Sequence, residues 1–101
     1  MEIDLKSIYI PSDKIVTRKI EDELIIVPVQ SGLADLDDTM FSLNETGQAA
    51  WEKLNPDNNV EKICLELADE FDASFEEIKD DILTLFEQLF LRKLIIKVKK
   101  Y

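Results

Sequence analysis

The stretch from Phe41 to Leu54, FSLNETGQAAWEKL, constrains the fold more than any other part of the chain, because its periodicity changes part-way along. Phe41 and Leu43 alternate with their neighbours as in a strand with one buried face. Asn44 then offers a side-chain oxygen to the free N–H groups of a new helix. Small and apolar residues follow at helical spacing, with Trp51 as a large aromatic anchor. The sequence therefore predicts a strand that ends where an amphipathic helix begins.

Two further strands are predicted upstream of this point. Residues Ile15 to Ile20 and Glu23 to Val29 are β-branched runs separated by Glu21-Asp22, which indicates a hairpin with a two-residue turn. A polar connection over residues 31–38 then leads to a third strand at Thr39 to Leu43. We expect these strands to form a three-stranded antiparallel sheet.

Downstream, capping patterns predict two more helices. Asn58 with Glu61 forms a capping box for the second helix. Ser74 with Glu77 forms another, which opens a long third helix from Phe75 to about Leu91. A terminal strand at Leu94 to Val98 would be the wing. The predicted fold class is α+β: a winged helix-turn-helix of three helices plus a wing, preceded by the three-stranded sheet.

The apolar stripe of the third helix is wide. At 100° per residue, its apolar side chains fill an arc of roughly 160°, against the ~100° that one buried face needs. The residues are Phe75, Ile78, Ile82, Leu83, Leu85, Phe86, Leu89 and Phe90. Either one face packs on the core while a flank lines a groove, or the sheet and the last strand cover both flanks. The periodicity favours neither alternative.

The order of Phe-x-Leu-Asn, Glu-Thr-Gly, an alanine-rich turn and Trp51 resembles the PqqD-like family of peptide-binding domains, also called RiPP recognition elements. The resemblance covers roughly Lys14 to Val98. It implies a small winged helix-turn-helix domain that holds the leader segment of a ribosomally made precursor peptide. It also implies a partner enzyme that modifies the precursor, such as a radical-SAM enzyme or a leader peptidase.

The resemblance further implies where the peptide lies, namely along the third strand and in the groove beside the third helix. An exposed edge strand favours the same arrangement, because its unpaired N–H and C=O groups can accept an added strand. Carried onto this chain, the contacts on the strand are Met40, Phe41, Ser42 and Leu43, and those on the helix are Ile78, Asp81, Ile82, Leu85 and Phe86. Asn44, Gly47 and Trp51 are assigned to the fold, as a cap, a close-packing point and a core anchor.

Length and composition limit the class of protein. The 101 residues form one domain, which we place at residues 14–101 after an N-terminal arm or short edge strand at residues 1–13. No apolar run reaches the ~18–20 residues of a membrane span, and no secretory signal is evident. A single Cys64 offers no disulfide framework. We therefore expect a cytoplasmic protein without a membrane partner, monomeric by default although an edge strand allows a dimer.

The charge balance argues against nucleic acid as a partner. The chain has 12 basic and 22 acidic residues, and five of the basic ones fall in the last ten positions, so residues 1–91 carry a net charge of −15. Such a body repels phosphate backbones, whose neutralisation by Lys and Arg supplies most non-specific affinity. The predicted third helix is itself acidic, which is the wrong sign for a helix entering a DNA groove.

The sequence also lacks the residues of a catalytic site. It has no histidine, no Gly-rich phosphate loop and no cysteine cluster. Asp35, Asp37 and Asp38 lack the spacing of a calcium loop, so no metal or cofactor is expected. The prediction is a non-catalytic adaptor that binds a leader peptide by strand addition and presents it to a modifying enzyme. The alternatives are a winged-helix DNA-binding transcription factor and a structural partner domain without a peptide ligand.

Overall fold

The structure, a computed structural model, describes residues 3–28 and 41–98. Within these ranges the chain forms three helices and five strands. The helices are α1 (Glu45–Glu52), α2 (Val60–Glu70) and α3 (Phe75–Leu91), and the strands are β1 (Ile8–Pro11), β2 (Ile15–Ile20), β3 (Glu23–Pro28), β4 (Phe41–Leu43) and β5 (Ile95–Val98). Thr39, Met40 and the predicted connection over residues 31–38, with its three aspartates, lie outside the described residues.

The predicted three-stranded antiparallel sheet is present, with strand order β2-β3-β4. The β2–β3 hairpin turns at Glu21 and Asp22, and Ile20 is paired with Glu23. Glu21 adopts a φ of 55°, so a non-glycine residue takes the left-handed conformation that this short turn needs. β4 pairs with β3 and is the edge strand of this sheet within the described residues.

A second, two-stranded sheet joins the two ends of the chain. The predicted wing strand is present as β5, but its partner is β1 from the N-terminal segment, with Ile8 opposite Val98. The α+β class is confirmed, whereas the winged helix-turn-helix assignment is not. Sequence periodicity missed this pairing because its two strands are separated by nearly the whole chain.

The N-terminal segment is attached to the core by packing and by hydrogen bonds. Tyr9 is 1% exposed, and its ring packs edge-on against Phe90 at a centroid distance of 5.7 Å. The first two N–H groups of α2 have no hydrogen-bond acceptor within the helix. They donate to the carbonyls of Ser7 at 3.0 Å and Leu5 at 2.9 Å. These bonds leave β1 beside the start of α2.

The helix caps follow the sequence patterns with one correction. The Asn44 side chain accepts from the Gly47 N–H at 2.8 Å, and the Ser74 hydroxyl accepts from the Glu77 N–H at 3.2 Å, as predicted. The cap of α2, however, is Asn59, which accepts from the Lys62 N–H at 2.8 Å. The prediction of Asn58 as this cap is wrong by one residue.

The core lies between the helices and the two sheets. Its largest fully buried side chains are Tyr9 and Phe86, while Trp51 is half-buried and packs on the edge of the core. Gly47 is a close-packing point, since a Cβ there would meet the Leu43 side chain at 3.2 Å. The strand end and the first helix are thereby held in close contact.

Candidate functional site

The space between β4 and α3 forms a groove, which we call the β4–α3 groove. It consists of two adjoining cavities of ≈ 380 and ≈ 310 Å³ that share Phe41, Asn44 and Leu85 in their linings. The remaining lining residues are Glu23, Ser42, Leu43, Thr46, Gly47, Asp81, Ile82, Thr84 and Gln88. The groove thus lies at the position that the sequence predicts, with the edge strand on one side and the third helix on the other.

The strand side of the groove follows from the alternation of β4. Leu43 is buried in the core and Phe41 is half-buried on the same face, paired across the strands with Leu24 and Ile26 respectively. Ser42 points the other way, is exposed, and donates a hydrogen bond to the Glu23 carboxylate at 3.1 Å. The edge therefore carries one apolar and one polar face.

The helix side of the groove is a mostly polar flank of α3, to which the wide apolar stripe contributes Leu85. The face of α3 buried in the core consists of Ile78, Ile82, Phe86 and Leu89. The flank consists of Asp81, Thr84, Leu85 and Gln88, which recur at the i, i+3, i+4 and i+7 spacing of one helix face and line the larger cavity. In the described part of the chain, one face of α3 thus packs on the core while a flank lines a groove.

The structure brings together six of the nine residues predicted for the site. Phe41, Ser42, Leu43, Asp81, Ile82 and Leu85 line the groove. Ile82 is only 1% exposed, so it supports the floor of the groove more than it offers contact area. Ile78 and Phe86 are buried in the core and line neither cavity, and Met40 lies outside the described residues.

The sequence predicted the polar lining residues Ser42 and Asp81 but not Thr84 and Gln88. Thr84 and Gln88 occupy the same helix face as Asp81, three and seven positions on, and that spacing is the signal that would have identified them. Asn44 and Gly47 were assigned to the fold alone, yet both also line the larger cavity. Both residues therefore have a role in the fold and also border the groove.

The charged groups of the groove are acidic. Asp81 is exposed in the larger cavity, and Glu23 lines the smaller one. None of the described lining residues is Lys or Arg. The Arg92 guanidinium lies 5.3 Å from the ring centroid of Phe41 and connects the end of α3 to the edge strand.

Residues 3–28 and 41–98 contain carboxylates and one thiol, side chains that could bind a metal ion or act as a nucleophile. Within these ranges no three His, Cys, Asp or Glu residues lie close enough together to hold a metal ion. Cys64 is buried, and this burial raises the pKa of its thiol to about 11, which keeps it protonated and unreactive at neutral pH. No helix of the described part is both long and apolar enough to cross a bilayer.

A comparison with protein families matches most of the chain. The family model of the coenzyme PQQ synthesis protein D (PqqD) matches residues 23–95. The chain belongs to the PqqD family. The PqqD match runs from the start of β3 to the start of β5 and so includes both sides of the β4–α3 groove. It confirms the family resemblance drawn from the stretch after Phe41.

The fold of this PqqD-family chain is similar to that of a solved structure, TbiB1 in complex with the TbiA(beta) leader peptide. The two chains have a TM-score of 0.71 and 21% sequence identity, and the similarity covers 90% of this chain and 99% of TbiB1. At this identity the likeness establishes a shared fold. No curated protein sequence matches the chain.

Proposed function

We propose that the protein is a non-catalytic adaptor that binds the leader segment of a ribosomally synthesised precursor peptide and presents it to a modifying enzyme. The observation that carries the proposal is the β4–α3 groove, where an edge strand lies beside a partly apolar helix flank. Membership of the PqqD family supports it. So does the shared fold with TbiB1, whose structure was determined with a leader peptide.

The binding mode that we propose is strand addition to β4. Within the described residues β4 has β3 as its strand neighbour on one side, so the backbone groups of its other edge can pair with a guest strand. This backbone pairing supplies affinity with little sequence preference. A dissociation constant near ~1 μM, or about −8 kcal/mol, is sufficient for an adaptor that must release its cargo.

Sequence preference comes from the two cavities. Alternate residues of a guest strand are about 7 Å apart and point to the same side, so two of them can reach the flank of α3 together. Leu85 lines both cavities and is the shared apolar contact. We expect the guest to place apolar side chains there and to leave polar ones in solvent.

The enzyme that acts on the bound precursor is a separate protein in this proposal. A radical-SAM enzyme and a leader peptidase are both candidates, and either would supply the chemistry. The adaptor's contribution is to raise the local concentration of the precursor at that enzyme.

The test is a fluorescence-anisotropy titration with two labelled ligands, the leader of a small peptide encoded beside the gene and a random duplex DNA. We expect saturable low-micromolar binding to the leader alone. Binding to DNA alone would favour the transcription-factor alternative, and absence of binding to either ligand would favour the structural partner domain.

A substitution then locates the site. Leu85→Asp places a charge in both cavities at a half-buried position and should abolish leader binding while the fold is retained. Ile82 is unsuitable, because a charge at this 1% exposed position would unfold the core. The matched control is Leu65→Asp at a 54% exposed position on α2, outside the groove. Leader binding that survives in a folded Leu85→Asp variant would place the site elsewhere.

A further inference from the structure

A second cavity lies where the end of α3 meets β5, and we call it the α3–β5 cavity. It has a volume of ≈ 810 Å³, which exceeds the two cavities of the groove combined, and it shares no lining residue with them. Its lining also includes the connection between β1 and β2, together with Pro28 at the end of β3. It is therefore a different site from the groove, although Arg92 of its lining contacts Phe41 of the groove.

The lining of this cavity exposes large apolar side chains. Leu91, the last residue of α3, is 62% exposed, and Ile96 on β5 is 45% exposed. Isolated apolar residues on a surface are ordinary, but these two line one concave site together with Ile15 and Phe90, which are only partly buried. Covering them would remove apolar area from water, and that is the driving force of most protein association.

The charge of this surface is opposite to that of the rest of the molecule. Lys14, Arg92, Lys93 and Lys97 line the cavity with a single carboxylate, Asp13. A third of the chain's 12 basic residues are therefore concentrated at one site of a protein whose net charge is −10. Among the described residues, the lysines that form ion pairs are Lys6, Lys53 and Lys79, and none of these lines the cavity. Arg92 already stacks on the Phe41 ring, so the cations relevant to a partner are Lys14, Lys93 and Lys97. A partner that covers these lysines must offset the cost of removing their ammonium groups from water, and carboxylates of an acidic partner would do so.

We propose that the α3–β5 cavity docks an acidic segment of the modifying enzyme, which inserts a bulky apolar side chain between Leu91 and Ile96. The proposal rests on the proposed function in naming the enzyme as the owner of that segment. The concave shape suits an inserted side chain and not a flat bilayer or a duplex. The protein then binds its cargo and its enzyme through different surfaces.

The experiment measures two affinities for each variant, using calorimetric titrations of the full chain with the purified modifying enzyme encoded beside the gene and with the leader peptide. Two variants alter the cavity: Leu91→Gln removes the most exposed apolar contact, and Lys14→Glu with Lys97→Glu reverses two charges. We expect each to weaken enzyme binding at least tenfold and to leave leader binding unchanged. Leu85→Asp should have the reverse effect.

Matched controls alter similar residues outside the cavity. Leu65→Gln changes another exposed leucine on a helix, and Arg18→Glu with Lys19→Glu reverses two exposed charges on β2. Neither should change enzyme binding by more than twofold. Enzyme binding should also weaken as salt is raised, because the contact is partly ionic.

The outcomes separate the two proposals. If the cavity variants bind the enzyme as tightly as the wild-type protein does, and the leader also binds, the docking inference is wrong and the proposed function stands. If the wild-type protein does not bind the leader, both the proposed function and the inference that rests on it are overturned. If the wild-type protein binds phosphatidylglycerol vesicles and the cavity variants do not, this surface binds a membrane and the inference is overturned.

Discussion

At the scale of single residues, neighbouring positions of identical type have different roles. Asn59 caps α2, while Asn58 is buried and donates its amide to the Lys53 carbonyl at 3.0 Å, at the end of α1. Asn58 fits the capping box, with Glu61 three residues on, whereas Asn59 has Lys62 at that position and fits only the general preference for asparagine at a helix start. Which asparagine caps α2 depends on which one donates its side-chain amide to the Lys53 carbonyl, and that hydrogen bond is a tertiary contact.

Cys64 gives a prediction at the same scale. Burial raises the pKa of its thiol from 9.0 to about 11, so the folded protein holds the thiol proton more tightly than the unfolded chain does. The contribution of the protonated thiol to the free energy of unfolding is therefore fully present below about pH 9 and is lost as the pH rises towards 11. We expect the thiol to account for a loss of about 2 kcal/mol in unfolding free energy between about pH 8 and 10.5.

The measurement is urea denaturation of the wild-type protein and of Cys64→Ala at both pH values. The alanine variant should lack this part of the pH dependence, whereas contributions from lysines and tyrosines remain in both proteins. Equal losses in the two proteins would mean that the thiol is not buried as described.

At the scale of elements, the ends of α2 and α3 share one hydrogen-bond pattern. After each helix a residue takes a left-handed conformation, Asp72 with φ 52° and Lys93 with φ 63°. The next N–H then donates back to a carbonyl five residues earlier, Ala73 to Ala68 at 3.0 Å and Leu94 to Leu89 at 2.9 Å. This is the Schellman arrangement, in which glycine normally occupies the left-handed position.

Asp72→Gly should therefore stabilise the protein. Glycine adopts a positive φ without the Cβ clash that an L-residue incurs, and we expect a gain of about 1 kcal/mol in unfolding free energy by chemical denaturation. Asp72→Ala is the control, because it removes the same carboxylate from the helix C-terminus but keeps the Cβ. The gain from the backbone is the difference between the two variants, and equal stabilities would contradict it.

The elements themselves were largely predictable. The hairpin, the starts of α1 and α3 and the end of α3 at Leu91 are where the periodicity and caps place them. Local patterns determine these features because the hydrogen bonds involved span only a few residues. The wing was not predictable in this way, since β5 has a strand pattern that does not specify its partner.

At the scale of the whole molecule, charge separates peptide binding from nucleic-acid binding. The net charge is −10, and exposed residues near the start of α3 include Glu76, Glu77 and Asp80. We expect leader binding by strand pairing and apolar burial to change less than about threefold between roughly 0.1 and 0.5 M salt. Duplex DNA should not bind measurably at either concentration.

Anisotropy titrations at the two salt concentrations test this expectation. A protein that neutralised several phosphates would lose affinity by orders of magnitude over the same range, with a linear dependence on the logarithm of salt concentration. A steep loss of leader affinity would show that ion pairs, not the apolar flank at Leu85, dominate the complex.

The sequence alone determined the family, the class of fold, the order of most elements and the approximate position of the groove. These depend on residue type and local spacing, as in the cap at Asn44 and the stripe of α3. Only the tertiary structure decided that β5 pairs with β1, that Ile78 and Phe86 belong to the core, and that an apolar cavity gathers basic residues from both ends of the chain. The physical reason is that these features arise from contacts between residues far apart in sequence, such as Ile8 and Val98, which no local periodicity encodes.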